Sequence, residues 1–416
     1  MQRTRRSFPA RRALPWPIAL AAVAPCAAGS TPTDANEPPP PRLVVLLVVD
    51  QLRPDYLERF AAKFDGFFAD LARDGRWFTD AEQHHALTVT APGHASLGTG
   101  RFPAHHGIVG NEFFDPAEKR IVAAVEDRSA RPLAGAGGGC SAARLRTDGL
   151  GDWWRRAHPQ GKVVGISLKP RSALLPLGQG PHLAFWFDDE SGVFASSDRC
   201  MEALPDWAAT AAAADPLREL PDQWERRLAD DDYAALGCTG DDEPGEAPTG
   251  RPPTRTFPHG LAAFSRSSRA AALAVSPYGD RLVLDFARAA VAGEALGADA
   301  SADLLVLGLS ATDLIGHRHG PDSWEIAEQL VALDRALAEF ATFLAARVDP
   351  AGLLFALTSD HGIPPLPEVA TARGAPGDRL DWTALGPLVD RALVAIDPAL
   401  AGAALPLPGL GLRLDR

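Results

Sequence analysis

Cysteine is scarce in this chain of 416 residues. Of its 4 cysteines, Cys26 lies in the N-terminal apolar region, which leaves Cys140, Cys200 and Cys238 in the rest of the chain. Three such cysteines allow at most one intramolecular disulfide. They also lack the close pairing of a cysteine-based metal site. The fold therefore cannot depend on a framework of disulfides.

The chain also lacks an excess of positive charge. It has 41 Lys and Arg against 53 Asp and Glu, a formal net charge of −12 at pH 7. Nucleic acids and anionic membrane surfaces attract basic proteins, so this balance argues against both as partners. An anionic small-molecule substrate would need positive charge concentrated at its own binding site.

Long apolar runs are absent beyond the N-terminal region, so we predict no membrane span. The N-terminal region has five arginines, then an apolar run from Ala13 to Pro25, then small residues. This order is typical of a secretory signal, and we predict that residues 1–28 are removed from a protein exported to the periplasm. Lipidation at Cys26 is the alternative, although Pro25 fits such a site poorly.

Four aliphatic runs have the length and composition of strands buried on both faces of a parallel sheet. A proline-rich linker, residues 29–42, precedes the first of them. A helical pattern at residues 323–347 separates the last two and predicts a strand–helix–strand crossover. The fold class is therefore predicted as α/β with a mostly parallel sheet. The four predicted strands are residues 43–49, 162–167, 303–309 and 352–357.

The stretch 205–258 differs from the rest in being rich in proline, glycine and acidic residues. We interpret it as an inserted cap region that ends in a loose loop. The core would then consist of residues 43–204 and 259–416. The glycine-rich segment before Cys140 is predicted to be a loop, because it lacks the preceding strand and following helix of a phosphate-binding loop.

Metal-ligating side chains follow the ends of the predicted strands. Asp50 directly follows the first strand, and Asp360 and His361 closely follow the last. Asp313 and His317 are four residues apart, so on a helix both would face the same way. Singly, these residues are typical of caps, turns and surfaces. Because the carboxyl ends of parallel strands open on one crevice, together they predict a zinc site with oxygen and nitrogen ligands.

The segment Lys169-Pro170-Arg171 follows the second predicted strand. Proline holds the preceding residue extended, and residues two apart in an extended chain point to the same side. Lys169 and Arg171 would then form a clamp for phosphoryl oxygens. A solvated basic pair is the ordinary alternative.

Thr90 stands in a segment crowded with hydroxyl groups and glycines, TVTAPGHASLGTG. Ala91, Pro92 and Gly93 follow it, and proline is favoured in the first turn of a helix. Taken alone, the segment favours a helix N-cap role for Thr90 and no chemistry.

Seven sequence blocks occur in the order and at about the spacings of a known family, and together they are highly specific. Between about residue 43 and about residue 370 the chain resembles bacterial periplasmic alkaline phosphatases of the type I phosphodiesterase and nucleotide pyrophosphatase superfamily. The resemblance implies an alkaline-phosphatase-like sheet flanked by helices. The blocks are VVDQLRPDYL, TVTAPGHASLGTG, HHGIVGNEFFD, ISLKPRSALLP, SPYGDRLVLDFA, SATDLIGHRHGP and LTSDHG.

The resemblance implies that Thr90 is a nucleophile and forms a phosphothreonine intermediate. A threonine hydroxyl reacts poorly until a metal or a base lowers its pKa. Two zinc ions about 4 Å apart would perform this activation and stabilise the leaving oxygen. The implied ligands are Asp50, Asp360, His361 and Thr90 for one zinc, and Asp313 and His317 for the other.

Asn111, Lys169 and Arg171 match the residues that hold phosphate oxygens in that family. A cationic clamp suits the dianion of a monoester better than a diester, so we predict a phosphomonoesterase acting on a small phosphate ester. A phosphodiesterase or nucleotide pyrophosphatase is one alternative. A non-catalytic remnant that binds zinc or phosphate is another.

One ligand of the family has no counterpart in this sequence. In relatives a histidine of a His-Gly motif nearer the C-terminus completes the second zinc site, but no histidine follows His361 here. Catalytic zinc usually has three protein ligands, so we expect the Asp313 and His317 site to bind zinc weakly or not at all. His319 is disfavoured as a substitute because it is only two residues from His317. We expect the chain to lack the C-terminal part of the family's core.

Overall fold

A computed structural model of the chain describes residues 40–262, 265–379, 381–407 and 411–414. The predicted signal peptide, Cys26 and most of the predicted linker lie outside the described residues. The strands are β1 Leu43–Val49, β2 Glu112–Asp115, β3 Arg120–Ala123, β4 Pro132–Leu133, β5 Val163–Ser167, β6 Leu183–Asp188, β7 Val193–Ser197, β8 Gln223–Trp224, β9 His259–Gly260, β10 Asp303–Leu309, β11 Leu353–Thr358, β12 Ala404–Leu407 and β13 Gly411–Leu414.

Helices account for much of the remaining described chain. Short 3₁₀ helices cover Ala61–Lys63, Pro350–Gly352 and Pro398–Leu400. The α-helices are α1 Pro54–Arg59, α2 Phe67–Asp74, α3 Thr90–Thr99, α4 Pro103–His106, α5 Leu150–Ala157, α6 Pro170–Leu174, α7 Asp206–Ala213, α8 Asp230–Ala235, α9 Arg266–Ala274, α10 Pro277–Gly293, α11 Ala311–His319, α12 Trp324–Ala345, α13 Pro367–Ala372 and α14 Trp382–Ile396.

A seven-stranded sheet, in the order β11-β1-β10-β5-β6-β7-β4, organises the described chain. The first five strands are parallel, and β7 and β4 add antiparallel pairs at one edge. The predicted α/β class with a mostly parallel sheet is confirmed. The predicted strands at residues 43–49 and 303–309 match β1 and β10, and the other two differ from β5 and β11 by a single residue at their ends.

The alternation of side chains along β1 explains why helices cover both faces of the sheet. Leu43, Val45, Leu47 and Val49 belong to one core cluster, which they share with residues of α10 and α12. Val44 belongs to a second cluster, with residues of α3 and α6. Successive side chains of a strand point to opposite faces, so an unbroken aliphatic run needs two apolar layers. Each fully buried Val or Leu contributes about 1.5–3 kcal/mol.

The order of the strands brings distant parts of the sequence together. β1 lies between β10 and β11, with Val49 opposite Leu309 and Val48 opposite Thr358. The backbone NH of Asp50 donates to the Leu309 carbonyl at 2.9 Å, just beyond the end of β1. The carboxyl ends of these three strands therefore open on one crevice, where ligands of open parallel sheets bind.

The stretch 205–258 contains α7, β8 and α8 and packs on the core. Its Trp224 and Tyr233 are buried and belong to the same core cluster as α10 and α12. Tyr233 stacks on Trp324 of α12, with ring centroids 4.0 Å apart. The predicted cap region is thus attached to the core through aromatic side chains, although it is poor in regular structure.

Two further features bear on the sequence analysis. Cys140, Cys200 and Cys238 are free cysteines, so the one disulfide that their number allows is not formed. Within the described ranges, no helix combines the length and the apolar character that crossing a bilayer requires.

Candidate active site

Three carboxylates and one imidazole converge beyond the ends of β1, β10 and β11. Asp50, Asp313 and Asp360 are buried, as is His361. His361 Nε2 lies 3.3 Å from Asp50 Oδ1 and 3.8 Å from both Asp313 Oδ1 and Asp360 Oδ2. One ligand atom each from Asp50, Asp313 and His361 lies within 4.8 Å of the other two. The structure therefore unites residues that the sequence analysis assigned to two different metal ions.

Gln51 holds two of these carboxylates in place. Its backbone NH donates to Asp360 Oδ1 at 3.1 Å, and its Nε2 donates to Asp313 Oδ1 at 2.8 Å. Its φ of 66° is in the left-handed region, which costs a residue other than glycine about 1–2 kcal/mol. The sharp turn directs the chain from β1 so that both hydrogen bonds form. Gln51 was not predicted from the sequence, although a polar residue directly after Asp50 and a buried strand was the available signal.

Helix α3 begins at Thr90, but the side chain that caps its N-terminus is that of Asn111. Val89 occupies the N-cap position of α3 and makes no side-chain hydrogen bond there. The NH of Ala91 donates instead to Asn111 Oδ1 at 2.7 Å. The interpretation of Thr90 as a helix cap is therefore wrong, because an amide 20 residues away satisfies the exposed backbone donor.

The first turn of α3 packs directly on Asp360. His94 Nδ1 donates to the Thr90 carbonyl at 3.0 Å and also lies 3.0 Å from Asp360 Oδ2. A Cβ atom at Gly93 would lie 2.5 Å from the Asp360 carbonyl oxygen, so only glycine permits this approach. Thr90 is also buried, and its backbone carbonyl accepts from the same histidine that contacts Asp360.

Lys169 lies between two of the carboxylates. Its Nζ is 2.6 Å from Asp50 Oδ2 and also donates to Asp313 Oδ2. Its backbone is extended, with φ of −107° and ψ of 131°, as the following proline favours. The predicted phosphate-binding lysine is thus at the site, but here its ammonium group faces acidic side chains.

Arg171 lies in the first turn of α6, close enough for its positive charge to oppose that of Lys169. Its Nε is buried and has no hydrogen-bond partner among the described residues. Asn111 is half-buried and uses its carbonyl oxygen on Ala91, which leaves its amide NH₂ group as a donor. Both side chains therefore retain donors suited to an oxyanion.

The pKa values follow from burial and from the charges that face each other. Burial opposes charge on Asp50, but Lys169 and His361 hold the pKa of this carboxyl well below its usual range. Burial and Asp50 oppose charge on Asp313, yet Lys169 and His317 lower its pKa. Burial and the nearby Asp50 raise the pKa of Asp360. Burial would lower the pKa of Lys169, but its two carboxylate partners raise it.

The same groups fit a divalent cation. Asp50 Oδ1 is buried and has no hydrogen-bond partner among the described residues, which leaves a free oxygen ligand. With His361 neutral, as a metal ligand must be, the carboxylates of Asp50, Asp313 and Asp360 outweigh the charge of Lys169 by two. Carboxylate oxygen and imidazole nitrogen are common ligands of zinc.

The second predicted metal pair is open to solvent on one side. His317 Nε2 lies 3.1 Å from Asp313 Oδ1 across one turn of α11, as the spacing predicts, and its side chain is 64% exposed. In the parts of the chain that the structure describes, no group of three metal ligands includes His317. His319 is no substitute, since its ring contacts Thr249, Glu246 and Glu325 instead.

Comparison with known proteins identifies the family. Residues 44–379 match the family of type I phosphodiesterases and nucleotide pyrophosphatases. This chain belongs to that family. It is 34% identical over 345 residues to alkaline phosphatase PhoV of Synechococcus elongatus, an alignment that covers 82% of this chain and 62% of that protein. It is 34% identical over 336 residues to alkaline phosphatase PafA of Elizabethkingia meningoseptica, covering 79% of this chain and 61% of PafA.

The fold is also that of a solved phosphatase structure. The crystal structure of a wild-type alkaline phosphatase PafA superposes on this chain with a TM-score of 0.85 at 31% identity. The superposition covers 92% of this chain and 73% of the PafA chain. In the sequence alignments the chain spans less than two thirds of the length of the two curated relatives.

Proposed function

We propose that this chain is a zinc-dependent phosphomonoester hydrolase whose nucleophile is Thr90. The observation that carries the proposal is the packing of the first turn of α3 on Asp360, beside Asp50 and His361. This contact supports a position for the first turn of α3, which begins with Thr90, next to a group of residues that suits a divalent cation. The similarity to proteins named alkaline phosphatases supports the same reaction.

The ligands proposed for the metal ions come from this chain. Asp50, Asp360, His361 and Thr90 would hold one zinc, and Asp313 with His317 would contribute to a second. Bound there, zinc would lower the pKa of the Thr90 hydroxyl and offset charge on the leaving oxygen. Asp313 and His317 supply two protein ligands, and catalytic zinc usually has three, so a further ligand would complete the second site.

Thr90 then acts in two displacements at phosphorus. Its oxygen forms a bond to phosphorus while the bond to the ester oxygen breaks, which gives phosphothreonine and an alcohol after protonation. Water then attacks phosphorus, inorganic phosphate leaves, and Thr90 regains its hydroxyl. Asn111 and Arg171 would donate to the non-bridging oxygens, whose charge must be balanced throughout.

A phosphodiesterase is the second candidate, and the position of Lys169 favours it. While its ammonium group is paired with Asp50 and Asp313, less positive charge is available for a phosphate dianion. We nevertheless prefer the monoesterase, because Arg171 and Asn111 retain donors that a dianion can use. A rate comparison with p-nitrophenyl phosphate and bis-p-nitrophenyl phosphate decides between the two.

The decisive test is hydrolysis of p-nitrophenyl phosphate by the full chain with added zinc. We expect turnover by the wild-type chain, loss of at least 100-fold in Thr90→Ala, and partial retention in Thr90→Ser. Thr88→Ala is a matched control, because Thr88 is exposed and should leave the rate unchanged. Equal rates for wild type and Thr90→Ala would contradict the nucleophile. Zinc binding without turnover of either ester would instead indicate a non-catalytic remnant.

We also propose that the protein is exported to the periplasm, on the strength of its N-terminal sequence alone. Fractionation of cells that express the full gene tests this location. Mass analysis of the mature N-terminus separates cleavage near residue 28 from lipidation at Cys26. A full-length N-terminus in the cytoplasm would contradict both.

A further inference from the structure

A second group of metal-ligating side chains lies outside the candidate active site. His259, His319 and Glu325 each offer one ligand atom, and these atoms all lie within 4.8 Å of one another. His259 Nε2 is 2.8 Å from Glu325 Oε1, and His319 Nδ1 is 3.5 Å from the same oxygen. Glu246 Oε2 lies 4.0 Å from His319 Nδ1. These four residues, called here the His-Glu cluster, are all more than nine-tenths buried.

The contacts of His259 with its outer partner favour one tautomer of its ring. The Thr254 hydroxyl donates its only proton to the Thr256 carbonyl at 3.0 Å, so at its 3.4 Å contact with His259 Nδ1 it must accept. A neutral His259 then carries its proton on Nδ1 and a lone pair on Nε2. That lone pair faces a carboxylate oxygen of Glu325 at 2.8 Å. Two acceptors come this close only when a cation, either a proton or a metal ion, lies between them.

The partners of the rest of the cluster favour a metal ion over a single proton. His319 Nδ1 and both carboxylate oxygens of Glu246 are buried without a hydrogen-bond partner among the described residues. Each such group costs about 1–3 kcal/mol if it stays unsatisfied. A proton on His259 satisfies none of them. A metal ion bound by all four side chains satisfies His319 Nδ1 and one oxygen of Glu246 together with His259 and Glu325.

Charge leads to the same conclusion. Two carboxylates beside two neutral imidazoles carry two negative charges in a buried place, and a divalent cation balances them. The cluster is therefore short of positive charge.

We propose that the His-Glu cluster binds one zinc ion as a structural site. Structural zinc sites are closed, with four protein ligands and bond lengths of about 2.0–2.2 Å, which puts neighbouring ligand atoms about 3.3 Å apart. The distances of 2.8, 3.5 and 4.0 Å in the cluster surround that value. Thr249 contacts His319 Nε2 at 2.8 Å and Thr254 contacts His259 Nδ1 at 3.4 Å. Such partners on the outer ring nitrogen orient a histidine whose other nitrogen binds a metal ion.

Such a site would tie separate parts of the chain together. Glu246 lies in the irregular stretch between α8 and β9, His259 begins β9, His319 ends α11, and Glu325 lies in the first turn of α12. Because α11 also carries Asp313, the zinc would anchor the irregular stretch to the helix that reaches the active site. The site is structural, and it is independent of the function proposed for Thr90.

Zinc analysis of the full chain tests the proposal, provided that the active site is first disabled. A background variant with Asp50→Asn, Asp313→Asn, Asp360→Asn and Lys169→Met removes three carboxylate ligands there together with the buried ammonium group that pairs with two of them. After dialysis, inductively coupled plasma mass spectrometry should still find one zinc per chain in this background. Cobalt substitution should give the intense visible absorption of a four-coordinate site. A background protein without zinc, and without cobalt absorption, would overturn the proposal and assign the cluster to a buried proton.

A second pair of variants locates the ion. His319→Gln in the same background should lower the zinc content at least tenfold. His182→Gln is the matched control, since His182 is a buried histidine that pairs with Asp152 and belongs to no group of metal ligands among the described residues, and it should keep the zinc. If His319→Gln fails to fold, thermal unfolding of the background protein decides: added zinc should raise its Tm, whereas magnesium should not. Equal zinc in both variants would contradict the assigned ligands.

Discussion

The ammonium group of Lys169 and the carboxylate of Asp50 lie 2.6 Å apart, although 119 residues separate them in the sequence. Both are buried, and Lys169 also contacts Asp313. Removing one partner of a buried ion pair leaves uncompensated charge and costs about 3–5 kcal/mol. Lys169 therefore stabilises a group of carboxylates that would otherwise repel one another.

We predict that Lys169→Met destabilises the protein by about 3–5 kcal/mol without zinc, and by clearly less with zinc. Zinc can replace the lost positive charge between Asp50 and Asp313. Urea unfolding with and without zinc measures both values. Lys63→Met is the control, because the Lys63 pair with Asp232 is partly exposed and should be worth about 0–1 kcal/mol. An equal loss of unfolding free energy with and without zinc would show that zinc does not replace the charge of Lys169.

Gly316 is predicted to be required for the position of Gln51. A Cβ atom at residue 316 would lie 2.1 Å from Gln51 Oε1, so Gly316→Ala must displace the side chain that donates to Asp313. We expect at least a tenfold loss of phosphatase activity, even though alanine favours a helix by about 1 kcal/mol over glycine. Gly352→Ala should have little effect, because its nearest contact would be 3.4 Å. Full activity of Gly316→Ala would show that the position of Gln51 does not matter.

Two substitutions separate the functions of Asn111. Asn111→Asp keeps the oxygen that accepts from the Ala91 NH, so stability should change little, but it replaces the NH₂ donors with negative charge. We expect KM for a phosphomonoester to rise at least tenfold. Asn111→Ala should raise KM as well and also lose about 0.5–2 kcal/mol of stability with the cap. An unchanged KM in Asn111→Asp would exclude contact with phosphate.

Asp152, which is not one of the active-site residues, should make the free energy of unfolding depend on pH. Its carboxylate accepts from His182 at 2.9 Å and from the NH groups of Gly149, Gln179 and Gly180. Burial would raise the pKa of this carboxyl, but these partners lower it to about 2. A lowered pKa adds stability that is complete above the unfolded value of about 3.9 and is lost as pH falls toward 2.

We therefore expect Asp152→Asn to be about 1–3 kcal/mol less stable than wild type at pH 7, with the difference narrowing below about pH 4. Urea unfolding from pH 7 to pH 3 measures this narrowing. Asp148→Asn is the control, because the Asp148 pair with Arg156 is largely exposed and should contribute little at any pH. A stability difference between wild type and Asp152→Asn that stays constant with pH would contradict the lowered pKa of Asp152.

The sequence by itself determined the sheet and the residues at its edge. Unbroken aliphatic runs such as Leu43–Val49 can be buried only inside a two-sided layer, so strand positions follow from composition within about a residue. Parallel strands with charged residues at their ends then predicted that Asp50 and Asp360 meet. The four-residue spacing of Asp313 and His317 likewise predicted their contact on α11.

Only the tertiary structure decided how these side chains are partnered. Local sequence gave Thr90 a capping role, but the cap comes from Asn111, which the chain brings back from 20 residues away. Gln51 and the pairing of Lys169 with carboxylates depend on which strands neighbour β1, and strand order is not encoded in any one strand. The His-Glu cluster brings together residues from position 246 to position 325, and each of them is ordinary in its own segment. Long-range contacts such as these form only when the whole core packs, which is why spacing alone could not reveal them.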